Sequence, residues 1–221
     1  MSDDNNQDLG TWKAPSKGFF TPLNVAVIFA CCIPMGITGA MLTRGAKPPR
    51  AIADAPAFKL TNQRGEVVSK DSLKGKVWVG SFLFTHCPDV CPRTLQRLKG
   101  VTGWLTERRP EHQGKVRMIG ISLDHRGDTP ERAEAFLTRQ GHDSNQWDYL
   151  LSKESLHPLM RDGFMLGVRE GQNGLAAAHA DRVVLVGKAG RIRGYYDLSA
   201  NEGIAQLNSH IDLLVNETID P

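Results

Sequence analysis

The sequence predicts an α/β domain, a mixed sheet flanked by helices, carried behind an N-terminal single transmembrane helix. Two nearly continuous apolar runs, VWVGSFLF at 77–84 and VRMIGISLD at 116–124, read as strands covered on both faces, and each is followed by a helical pattern. A late pair of runs, RVVLV and RIRGYY, brackets the turn-like GKAG and adds antiparallel strands. Near the front, Phe19 to Thr43 is a 25-residue stretch without a charged residue, enough to cross a roughly 30 Å hydrocarbon core.

In chain order, residues 1–18 are polar and read as a disordered tail. Residues 19–43 form the anchor, 44–53 a short linker, and 54–216 the folded domain. The apolar stretch exceeds a signal-peptide core, and the bulky Phe29 suits a lipoprotein cleavage box poorly, so an uncleaved anchor is expected. Cys31 and Cys32 are then lipid-facing or helix-packing residues. Lys13 and Lys17 precede the span, whereas Arg44, Lys47 and Arg50 follow it. Charge alone thus leans by one residue toward a cytoplasmic domain. The acidic start (Asp3, Asp4, Asp8) is unlike a mitochondrial transit peptide and points to a bacterial protein.

Within the domain, FKL at 58–60 and EVV at 66–68 flank NQRG as a short hairpin. After the strand 77–84, Leu95, Leu98, Val101 and Leu105 mark a helix from about Cys91 to Glu107. After the strand 116–124, Asp128 or Thr129 caps a second helix, with Pro130 in its first turn and Gly141 closing it. WDYLL at 147–151 reads as a third strand and Lys153 to Leu166 as a helix. Ile204, Leu207, Ile211 and Leu214 mark a closing helix. Strands alternating with helices imply parallel β-α-β units, with helices expected on both faces of the sheet. There are no internal repeats.

The composition is 40% hydrophobic and 23% charged, as a chain with a buried core requires. The net charge of +3 is slight and its lysines and arginines are scattered, which argues against nucleic-acid binding. Four cysteines in 221 residues do not make a disulfide scaffold.

The chemistry concentrates in THCPDVCPRTL, residues 85–95. Cys87 and Cys91 stand four apart, each followed by proline, where a central strand gives way to a helix. That carboxyl edge is where open α/β sheets bind ligands, and the helix start favours an anionic sulfur. Pro92 must lie in the helix's first turn. Two buried apolar thiols would not need the flanking prolines, Asp89 and His86. A structural zinc site would need a second knuckle, which is missing, and a thioredoxin-type disulfide uses C-x-x-C rather than this spacing. Soft thiolates select Cu(I), and an added imidazole suits either copper state. Of seven histidines, His112, His125, His142 and His157 read as solvated, His210 falls in the last helix, and His86 points away from Cys87. His179 follows the Gly- and Ala-rich loop REGQNGLAAAH, which can cross the cysteine edge of the sheet.

FTHCPDVCPRTL, followed by ISLDHRGDTPERAEAFL and a late histidine before VVLV, resembles the Sco/SenC family over roughly residues 54 to 216. The resemblance implies a thioredoxin-like domain on a single membrane anchor. For a bacterial member this places the anchor in the inner membrane and the soluble domain in the periplasm, opposite to the charge count. It implies copper, as Cu(I) or Cu(II), held by Cys87, Cys91 and His179. It implies partners that include the CuA-bearing oxidase subunit or another copper enzyme, with other copper chaperones. Asp124 matches the family's aspartate of the second motif and reads first as a residue that ends a strand and orders the next loop. Asp89 either tunes the thiols, meets a partner, or starts the helix. The chain departs from the family in carrying Ala178, where members often have an aspartate before the histidine.

Three functions follow as expectations. The leading one is a copper metallochaperone rather than an enzyme. The second is a thiol–disulfide oxidoreductase that uses Cys87 and Cys91 without needing His179. The third is a copper or redox sensor, for which the 18-residue tail is a short output segment.

Overall fold

The computed structural model describes residues 46–166 and 182–218. The tail, the anchor segment 19–43 and the loop bearing Ala178 and His179 lie outside the described residues. Among those described, no helix is long and apolar enough to cross a membrane.

Among the described residues eight strands are formed: β1 (Ala53–Asp54), β2 (Lys59–Thr61), β3 (Val67–Ser69), β4 (Val77–Leu83), β5 (Val116–Ser122), β6 (Trp147–Leu150), β7 (Arg182–Val186) and β8 (Arg191–Asp197). The α-helices are α1 (Val90–Arg108), α2 (Pro130–Arg139) and α3 (Asn201–Asn216). Six strands make one mixed sheet in the order β1-β8-β7-β4-β5-β6, and β2 pairs with β3 as a separate hairpin. β4, β5 and β6 run parallel, whereas β7, β8 and β1 are antiparallel to their neighbours. β4 is buried at all seven positions, which is why it reads as an unbroken apolar run. The edge strand begins at Ala53, which pairs with Ile192.

The sheet divides the core in two. Val77, Val79 and Leu83 face a cluster with Leu95, Leu98 and Val101 of α1, Phe136 and Leu137 of α2, and Leu207, Ile211 and Leu214 of α3. Trp78, Phe82, Ile119 and Ile121 face a second cluster with Val68, Leu73, Met160 and Phe164. All three α-helices therefore lie on one face, which corrects the expectation of helices on both. The two crossovers β4-α1-β5 and β5-α2-β6 step the same way along the sheet. Right-handed connections of that kind place their helices on the same side. The opposite face is covered by the β2–β3 hairpin and a short helical turn, Leu159–Gly163. Phe164 closes edge-to-face on Trp78 and Phe82, with centroids 6.1 and 5.4 Å apart.

That turn replaces most of the helix expected over Lys153 to Leu166. Pro158 disfavours helix in the residues before it, and Phe164 is drawn into the core beneath the sheet. Two histidines expected in solvent are buried. His112 Nε2 lies 2.9 Å from Asp212 Oδ1, and His142 Nε2 lies 2.9 Å from the Leu95 carbonyl oxygen. Burial holds down the charged form of His142.

At the β6 edge, Asp148 is 3% exposed and gathers three partners. Asn62 and Arg64 donate to Oδ1 at 2.8 and 2.7 Å, and Arg117 donates to Oδ2 at 2.5 Å. Burial pushes the Asp148 carboxyl up, but hydrogen bonds from Arg117 and Asn62 and the two guanidinium charges outweigh it, so it titrates below the usual carboxylate range. A lowered folded-state pKa gives stability that is complete at neutral pH and is lost as pH falls below about 4. Asp148→Ala is expected to cost about 2–3 kcal/mol at pH 7, since both arginines keep some water, and much less at pH 3. Urea unfolding at the two pH values measures this; an equal loss at both would contradict it.

Candidate metal centre

The centre is built where β4 ends and α1 begins. After Leu83 the chain leaves the sheet through Phe84 and Thr85, and the Cys87 N–H donates to the Phe84 carbonyl at 3.2 Å. α1 starts at Val90 with Pro92 in its first turn, as expected. The Asp89 side chain makes no capping bond there. Sulfur takes that role: the Cys91 N–H donates to Cys87 Sγ at 3.3 Å. The Cys87 sulfur thus sits at the N-terminal end of the helix, among its unpaired backbone donors.

The two thiols are free and differ in setting. Cys87 is half-buried, and Cys91 is fully buried against the core. Burial pushes the Cys91 thiol far above the ordinary cysteine range, with the sulfur of Cys87 and the charge of Asp128 adding to the shift. Burial thus favours the protonated thiol at Cys91. Asp89 is exposed and paired with Arg93 at 2.8 Å across one helical turn.

The segment after β5 holds the cysteine loop in place. Asp124 Oδ1 accepts from the N–H groups of Arg126 and Gly127 at 3.1 and 2.9 Å, closing the DHRGD turn on itself. A side chain at Gly127 would put its Cβ 2.1 Å from Asp124 Oδ2, so the Asp124 carboxylate would have to move out of its place in the turn. Asp124 Oδ2 lies 3.4 Å from His86 Nδ1. His86 is half-exposed and packs its ring on Phe84.

Asp128 is the residue that sequence reasoning undervalued. It was a candidate cap for α2, but Thr129 caps that helix by accepting from the Arg132 N–H at 3.3 Å. Asp128 instead binds three elements together. Oδ1 accepts from the Thr85 N–H and hydroxyl at 2.9 and 2.7 Å; Oδ2 accepts from Ser122 Oγ and the Tyr149 hydroxyl at 2.6 and 3.0 Å. Its signal was the position, a second carboxylate four residues after Asp124, just past a buried strand that neighbours β4. Among the described residues, His86, Asp124 and Asp128 form a group spaced like metal donors. Asp128 already accepts four hydrogen bonds, so the group fits a structural role better than a metal.

The described residues thus bring together Cys87, Cys91, Asp89 and Asp124 around one loop. His179 lies outside them.

A family model described as SCO1/SenC matches residues 47–213. The chain is 28% identical over 142 residues to the SCO1 protein homolog of Bacillus subtilis, covering 63% of this chain and 72% of that one. Its fold is similar to that of BsSco, a member of the Sco family of cytochrome c oxidase assembly proteins in which a disulfide switch is identified. The TM-score is 0.62 and the identity 26%, over 77% of this chain and 99% of that one. It is also similar to ScoI of Bradyrhizobium japonicum with copper bound, with a TM-score of 0.58 and 26% identity, over 72% of this chain and 99% of that one.

Proposed function

The chain belongs to the SCO1/SenC family, and from that premise we propose that it is a copper metallochaperone whose cargo is held by Cys87, Cys91 and His179. The observation that carries the reading is the cysteine pair itself: two free thiols one helical turn apart, one at the mouth and one in the core, at the start of α1. Soft sulfur donors in a site without a zinc knuckle suit Cu(I). The copper-bound relative ScoI supports the same cargo.

The half-buried Cys87 is the thiolate that an incoming acceptor meets first, and the core-held Cys91 is the ligand that retains the ion. Transfer then runs by ligand exchange: an acceptor thiolate adds at the mouth and the buried sulfur lets go last, regaining its proton. His179, outside the described residues, completes the set with an imidazole nitrogen. The acceptor is a copper enzyme such as the CuA-bearing subunit of cytochrome c oxidase, in line with the assembly role of BsSco. Residues 19–43 anchor the domain to the bacterial inner membrane, with the domain in the periplasm.

A second reading, thiol–disulfide exchange on the acceptor's cysteines, is favoured by the paired free thiols and by the disulfide switch of BsSco. Both uses predict redox-gated loading, because a Cys87–Cys91 disulfide has no thiolate to offer copper. The full chain oxidised at this pair is expected to hold no copper and to recover one ion per chain after reduction. Copper analysis before and after dithiothreitol treatment checks it. Copper retained in the oxidised chain would overturn the assignment of the ligands, and a pair that never loads but exchanges rapidly would favour the second reading.

A further inference from the structure

Two hollows flank the cysteine loop, and among the described residues that line them the charged side chains are arginines. One, of about 470 Å³, opens beside Cys87 and is walled by Arg132 and Arg139 of α2, with Ala135 between them. The other, of about 240 Å³, lies along the start of α1 and is walled by Arg93 and Arg97. Among the described residues, no carboxylate lines either one. We propose that these hollows form a docking surface for acidic side chains of the partner protein, set so that the partner's acceptor cysteine meets Cys87. The inference deepens the chaperone reading and rests on it for the identity of the cargo.

The arrangement follows from helical spacing. Arg132, Ala135 and Arg139 stand at i, i+3 and i+7, one stripe of α2 turned toward the cysteine loop. The small Ala135 leaves the floor open between the two guanidinium groups. Both arginines are exposed, yet each is held: Arg132 donates to the Gly127 carbonyl at 2.5 Å, and the Arg139 guanidinium lies 5.9 Å over the Phe136 ring. Neither makes an ion pair among the described residues. A held guanidinium loses little freedom on meeting a carboxylate, and its fork takes two hydrogen bonds at once. On the other side, Arg97 donates to Asn201 Oδ1 at 3.0 Å rather than to a carboxylate.

Several nearby carboxylates have partners of their own. Asp89 pairs with Arg93, Asp124 faces its own turn and His86, and Glu131 is held at the helix start by Thr129. Arg132 and Arg139, with no ion pair among the described residues, thus place local positive charge beside Cys87, although the whole chain carries only +3. Such a local field speeds the encounter with a complementary face and repels a like-charged one.

The test uses the full chain in nonionic detergent, with Cys31 and Cys32 changed to serine, reduced, and without copper. The probes are short peptides carrying one cysteine activated as a thiopyridyl disulfide, flanked by glutamates, by lysines or by neutral residues. The Cys87 thiolate attacks the peptide sulfur, forming a mixed disulfide and releasing thiopyridone, whose absorbance gives the rate. The glutamate peptide is expected to react about ten times faster than the lysine peptide at low salt, with the advantage largely gone near 0.5 M salt. Arg132→Gln with Arg139→Gln is expected to remove most of that advantage and to leave the neutral peptide's rate unchanged. Equal rates for the two charged peptides would overturn the proposal, as would a preference that survives in the double variant. So would a small dianionic aromatic disulfide that shows the whole advantage while the glutamate peptide shows none, since the hollows would then take small anions. Charge selectivity in a chain that binds no copper would uphold the docking surface and sink the cargo assignment instead.

Discussion

Asp128→Ala is expected to destabilise the domain by about 3–5 kcal/mol. The change strips a shared acceptor from four donors at once: the Thr85 N–H and hydroxyl, Ser122 Oγ and the Tyr149 hydroxyl. Thr85, Ser122 and Tyr149 are all buried, so water does not replace the lost oxygen atoms without opening the structure. Each buried orphan costs about 1–3 kcal/mol, and members of one network do not add in full. Burial and the Asp128 charge push the Tyr149 phenol well up, so it stays protonated and keeps donating. Asp128→Asn retains one acceptor oxygen and is expected to lose about half as much. Guanidinium unfolding of the three chains measures both; a loss below about 1 kcal/mol for the alanine variant would show that Asp128 does not tie the loop down.

Cys91→Ser is expected to lower Cu(I) affinity by more than about 100-fold. Changes to groups that merely orient a ligand cost 10–100-fold, and this change removes the ligand itself. A serine hydroxyl keeps its proton and is a hard donor, so it does not replace a soft thiolate on Cu(I). The variant folds, because serine is close to cysteine in size. The price in stability is about 1–2 kcal/mol, that of burying a hydroxyl where Cys91 is fully enclosed. Competition against a chromophoric Cu(I) chelator gives the affinity, and urea unfolding gives the stability. Affinity within a few-fold of the wild type would mean that the core thiol is not a ligand.

Which parts of this were legible in the sequence follows from where each signal resides. β4 and β5 are buried on both faces, so their residues carry an apolar run that needs no partner to be recognised. The cysteine pair was legible because its spacing, its prolines and its place after β4 are all local. The side of the sheet each helix takes was not local, since it depends on the order β4-β5-β6 in space. The same holds for Asp148, whose partners Arg64 and Arg117 stand 84 and 31 residues away. His112 and His142 look like polar loop residues until Asp212 and the Leu95 carbonyl are brought to them by folding. Of the two candidate caps, Thr129 is the one that caps α2, and the partners of Asp128 on Thr85, Ser122 and Tyr149 come together only on folding.

The measurement that tests the account most directly is the copper content of the reduced full chain beside its Cys87→Ser and His179→Ala variants. One copper per wild-type chain is expected, with binding lost in the first variant and sharply weakened in the second. Copper held equally well without His179 would contradict the three-ligand centre.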